Sequence, residues 1–210
     1  MWLSAIVLVT AVALIAWLAI WMTSQKPVAH IQQLIQQHRY ADAVAEAEAR
    51  PDGDSAAPLH HGEALKLLGR FEEAIAAYRR SSDPAAREGI ALSLAHLGRD
   101  FDTARALMEE QIAKHPQIQE FQALALAFVL LRSGDRDAAL RLFDDNRVLL
   151  ETRFRDDYTD PDPLLAETLV MYAALAEAAG DSTRAAALRE QAAQWAPGSV
   201  WAESGTSGKA

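Results

Sequence analysis

The stretch "LGRFEEAIAAYRR", Leu68–Arg80, carries the pattern that decides the fold. Gly69 closes an apolar run, Phe71 follows it, and Phe71, Ala74 and Tyr78 share one face of a helix. The same arrangement returns along the chain. "HRYADAVAEAEAR" (38–50) has Tyr40 before Ala43, and "GRDFDTARALMEEQIAKHP" (98–116) has Phe101 before Ala104, with Met108 and Pro116 after it. "GDRDAALRLF" (134–143) has Ala139 before Phe143, and "GDSTRAAALREQAAQWAP" (180–197) has Ala185, Ala192 and Pro197. Successive alanines Ala43, Ala74, Ala104, Ala139 and Ala185 are 31, 30, 35 and 46 residues apart. A period near this length marks a stacked array of small helical units rather than one irregular bundle rich in alanine.

The period and the pattern together resemble the tetratricopeptide repeat, over about residues 30–197. The resemblance implies pairs of antiparallel helices. A glycine turns the chain between the two helices, a small alanine lets them approach closely, flanking aromatics fill the adjacent space, and a proline ends the unit. Gly62 and Gly69 stand at the family's first-helix and turn positions, and Gly98, Gly134 and Gly180 at later turns. The family's large first-helix residue is degenerate here, with Leu65, Ala95, Leu130 and Ala176 at its place. The expected fold class is all-α, an N-terminal transmembrane helix followed by a helical-hairpin solenoid of this type.

Composition agrees with helix. Half of the 210 residues are hydrophobic, with only 10 Gly and 8 Pro. A formal charge of −9 disfavours nucleic acid, which recruits clustered Lys and Arg. The chain has no cysteine, which excludes disulfides, thiolate nucleophiles and Cys-ligated metals.

"MWLSAIVLVTAVALIAWLAIWM", Met1–Met22, is uncharged. As a helix it would span roughly 33 Å, enough to cross a bilayer core. Trp2, Trp17 and Trp21 stand near its ends, where indoles favour the interface. A cleaved signal peptide would have a basic leader, a shorter apolar run and a cleavage site, none of which is present. The span is therefore expected to be an uncleaved membrane anchor. Lys26 and Arg39 follow it, and by the positive-inside rule they lean the rest of the chain toward the cytoplasm. The expected organisation is an anchor over 1–23, a linker and partial first repeat over 24–55, a solenoid over 56–197 and a flexible tail over 198–210.

The longest interval marks an insertion, "DDNRVLLETRFRDDYTDPDP" (144–163). Its aspartates lack the glycine and terminal glutamate of an EF-hand loop. A solvated loop is expected, with Asp and Pro capping the last hairpin near Leu164 and Arg147–Arg155 able to extend the fourth unit's second helix. The terminal "SGTSGKA" lacks the first glycine and the strand–helix context of a phosphate-binding loop. His60 and His61 are adjacent and diverge on a helix. No nucleophile–base arrangement can be argued, so neither an enzyme, a cofactor, a bound metal nor a small-molecule substrate is expected.

What remains is protein binding. The resemblance implies a concave face lined by first helices. Transferred in register, it offers Leu59, Glu63 and Lys66, then Ser93 and His96. Phe121, Leu124, Phe128, Leu131 and Arg132 follow, then Val170, Ala174 and Glu177. Of these, Glu63, Lys66, His96, Phe128, Arg132 and Glu177 are the candidate partner contacts. Leu59 and Glu63 replace the Lys and Asn of the family's carboxylate clamp, which argues against that mode. The expected function is a scaffold or assembly factor holding a client protein at the bacterial inner membrane, as in single-span bacterial members of the family. The alternative is a structural accessory subunit of a membrane complex.

Overall fold

The computed structural model describes residues 29–50, 56–116, 119–157 and 160–204. These residues form helices without a strand. The helices pair in chain order. Hairpin one joins α1 (29–36) to α2 (Tyr40–Glu48), and hairpin two joins α3 (Ala57–Leu67) to α4 (Phe71–Tyr78). Hairpin three joins α5 (Ala85–Leu97) to α6 (Phe101–Lys114), and hairpin four joins α7 (Gln119–Ser133) to α8 (Arg136–Asp157). Hairpin five joins α9 (Ala166–Ala178) to α10 (Ser182–Trp195), and the short α11 (Val200–Ser204) follows. The hairpins stack as a solenoid, with α3, α5, α7 and α9 in successive contact as its inner layer.

Among the described residues one turn is used five times. In hairpin two the Gly69 amide donates to the Lys66 carbonyl and the Arg70 amide to the Leu65 carbonyl, both at 2.9 Å. This paired arrangement needs a left-handed residue just past the helix end, where glycine meets no Cβ penalty. Gly69 sits there at φ 73°. The same two bonds recur around Gly98, Gly134 and Gly180. Hairpin one has them too, with His38 at φ 60° in the glycine's place. Its imidazole Nδ1 lies 3.0 Å from the Tyr40 hydroxyl, a local bond that helps hold a conformation disfavoured for a side-chain-bearing residue.

Past each turn, the periodic alanine meets its partner helix. Ala43, Ala74, Ala104, Ala139 and Ala185 are all 0% exposed. In hairpin two the close approach is tightened by Tyr78, whose ring lies between two glycines. A Cβ on Gly62 of α3 or on Gly89 of α5 would come within 2.5 Å of that ring. The aromatic thus joins hairpin two to hairpin three through slots that only glycine leaves open. Ala74→Leu is expected to destabilise the chain by about 1–3 kcal/mol through overpacking, measured by thermal unfolding. On an exposed face the same change would be nearly neutral.

The fold class needs one correction. Among the described residues no helix is long and apolar enough to cross a membrane. The longest, α8, has 22 residues but carries charge on every turn, and the apolar α9 has only 13. The expected anchor, Met1–Met22, lies outside the described residues. The fold class the structure supports is an all-α, solenoid-like array.

Three boundaries also differ from expectation. Residues 29–48 form a complete hairpin rather than a linker with part of one. The fourth unit's second helix extends through Arg147–Arg155 as the sequence allows, and α8 reaches Asp157, inside the stretch expected to be a loop. As expected near Leu164, Asp162 caps the 3-10 turn Pro163–Leu165, accepting the Leu164 amide at 2.9 Å. The expected tail is ordered at its start: Val200–Ser204 is helical and Trp201 is 4% exposed. One indole with a groove to fill holds Val200–Ser204 in place.

Candidate functional site

The stack curls so that its early and late hairpins face one another. Gln36 at the end of α1 donates to Asp162 at 3.1 Å, and Lys66 of α3 is ion-paired with Glu167 of α9. The inner faces of α3, α5, α7 and α9 therefore converge on one concave site.

At its centre are three ionisable side chains. Lys66 and His96 both reach Glu167, the imidazole Nε2 at 3.0 Å from Oε1. Their side chains are 14%, 11% and 6% exposed in the order Lys66, His96, Glu167, so water screens them little. Burial works against the Glu167 charge, but Lys66 and the His96 bond overcome it and hold the carboxyl down at about 2. Burial likewise opposes the Lys66 charge, and Glu167 reverses the sign, leaving its ammonium above the ordinary lysine value. The pair remains ionised across the neutral range. A buried lysine neutralised in this way offers little to a carboxylate ligand.

On one side of this centre the groove is full. The His96 ring stacks on Phe71 at 5.1 Å between centroids. It lies 5.0 Å from Phe128 and 4.8 Å from Trp201 of α11. Val200 completes the seal by packing on the Gly69 turn. The chain's own terminal helix thus occupies the aromatic end of its concave face.

On the other side the groove is open. A cavity of about 370 Å³ lies between α3, α5, α9 and the start of α7. Leu59, Leu92, Leu165 and Met171 contribute apolar wall, and Tyr78 and Thr168 contribute polar edges. Glu63, Lys66, Glu88, Glu120, Arg153 and Glu167 supply its charge. Glu63 is tied to His60 at 2.6 Å and Glu120 to Arg153 at 3.0 Å.

The six expected contacts separate here. Lys66, His96 and Phe128 come together at the centre, and Glu63 lines the cavity. Phe128 is 4% exposed, so it is a packed wall rather than a free contact. Arg132 lies at the end of α7 and caps α5, donating through Nε to the Ala95 carbonyl at 3.2 Å. Glu177 is exposed at the far end of α9, bonded to Arg189 at 2.9 Å and Ser182 at 3.1 Å. It stands ten residues from Glu167, about 15 Å along the helix. Sequence reasoning missed Glu167, Glu88, Phe71 and Trp201. Glu88 and Glu167 each stand in a helix's first turn, where carboxylates are ordinarily solvated dipole partners, so neither announces its burial. No protein-family model, curated protein or solved structure matches the chain.

Proposed function

We propose that the chain is a non-enzymatic interaction scaffold of the tetratricopeptide type, which holds a segment of a client protein in its concave face. The observation that carries this reading is the open cavity of about 370 Å³ on the inner layer of a solenoid built from five like turns. Such arrays use their inner layer as a binding surface. The walls combine apolar area with a few fixed charges, the mixture that suits a recognition pocket.

Thr168 tests the reading, because it edges the cavity from a half-buried position on α9. Thr168→Arg is expected to fill the opening and abolish capture of partners that the unaltered full chain retains, with a thermal midpoint within a few degrees. Unchanged capture by a folded Thr168→Arg chain would contradict it. A second reading, an accessory subunit of a larger assembly, is supported by Val148 and Leu149 on α8, which are 69% and 60% exposed. Loss of partners on changing those two residues, but not on Thr168→Arg, would favour it.

A further inference from the structure

We propose that the open cavity receives one organic cation, the guanidinium or ammonium of an arginine or lysine side chain presented by a partner peptide. This rests on the scaffold reading and specifies what the scaffold recognises.

Charge is the first argument. Among the described residues four carboxylates face the cavity, from Glu63, Glu88, Glu120 and Glu167, against two cations, Lys66 and Arg153. Each cation already lies on a carboxylate, Lys66 on Glu167 and Arg153 on Glu120. Glu63 has His60. Glu88 differs: among the described residues its side chain makes no hydrogen bond or ion pair. Burial pushes its carboxyl above the ordinary range, Lys66 opposes that and Glu167 adds to it. An incoming cation would give Glu88 the partner it lacks, whereas an anion would meet an excess of carboxylates over cations.

Shape is the second argument. The apolar walls of the cavity that Glu88 lines are Leu59, Leu92, Leu165 and Met171. A long basic side chain lays its methylene stem on such a surface while its head reaches a carboxylate. The volume admits a side chain rather than a folded element. The opposite end of the concave face is occupied by Trp201, so a bound peptide would approach from the α7 and α9 N-terminal side.

The test uses the full chain and four probes, titrated by NMR or calorimetry: N-acetyl-arginine amide, N-acetyl-lysine amide, the neutral isostere N-acetyl-citrulline amide, and agmatine. Both blocked cationic amino acids are expected to bind saturably and at least ~10-fold tighter than the citrulline probe. Glu88→Gln, with its thermal midpoint retained, should reduce them to the citrulline level, and Glu88→Asp should keep part of the preference. Equal binding of the citrulline probe, or an unchanged affinity in Glu88→Gln, would overturn the proposal. Agmatine, a dication with the same guanidinium, should bind at least as tightly as blocked arginine, and no binding of agmatine would also overturn the proposal. If Glu88→Gln does not fold, the arginine-to-citrulline ratio on the unaltered chain decides. Partners captured equally by the unaltered chain and Glu88→Gln would overturn the cation site and leave the scaffold intact. Arginine binding without any partner capture would remove the scaffold alone.

Discussion

Replacing Glu167 by Gln should lower the stability of the chain by about 3–5 kcal/mol, the range for breaking a buried ion pair by removing one partner. The substitution leaves the Lys66 ammonium 14% exposed with its nearest counter-charge gone, and it removes the carboxylate from His96. At roughly 2–4 °C per kcal/mol for a chain of this size, the thermal midpoint should fall by about 10 °C. The same pair sets an acid response. The Glu167 carboxyl titrates at about 2 in the folded chain against an ordinary 4.5. Its contribution is therefore fully present above pH 4.5 and is lost as pH falls toward 2, by about 3 kcal/mol in all. Glu88 runs the other way, because its raised folded value makes protonation on acidification favourable. Glu167→Gln should consequently flatten the stability profile between pH 4.5 and 2, which denaturant titrations at stepped pH would read.

Tyr78→Ala should be comparably severe, about 3–5 kcal/mol, the range for truncating a buried aromatic. Tyr78 is 2% exposed and fills the slot between Gly62 and Gly89. Neither glycine has a side chain that could move into the vacated space, so the cavity stays open and hairpins two and three lose their key. Tyr78→Phe is the control. It keeps the ring in the slot and removes only a hydroxyl that borders the cavity, so the loss should stay within about 1 kcal/mol. Equal losses in the two variants would mean that the hydroxyl, not the ring, holds this junction.

Much of the array was legible because its devices are local. A glycine past a helix end and an alanine opposite a neighbouring helix announce themselves within a few residues. All five alanines lie fully buried, four of the five turns have the glycine, and His38 at the fifth position carries no such mark. Lys66 and His96 were reachable by register, since first-helix positions line the concave face. Glu167 was not, because its burial depends on Lys66, 101 residues earlier in the chain. Glu177, on the same helix, looked equivalent and lies in solvent. Trp201 stands in a five-residue helix, too short for any periodicity, and its burial comes from Phe71 and His96. The extension of α8 through Arg147–Arg155 was legible as one option, but a solvated loop and a solvated helix have the same polar composition over 144–163, so its run to Asp157 was not fixed.

The convergence of early and late hairpins on one concave site rests on Lys66 and Glu167, and a double-mutant cycle tests it most directly. Lys66→Met and Glu167→Leu would be made singly and together in the full chain, and unfolding free energies measured in urea. Glu167→Leu strands the Lys66 ammonium and Lys66→Met leaves the Glu167 carboxylate with the His96 bond alone, so both should be strongly destabilised, whereas the double variant replaces the pair by apolar side chains and should recover most of the loss. A coupling of about 2–3 kcal/mol is expected between these residues, 101 positions apart. Losses that add within about 0.5 kcal/mol would contradict it, because α3 and α9 would then not meet and no shared concave site would exist.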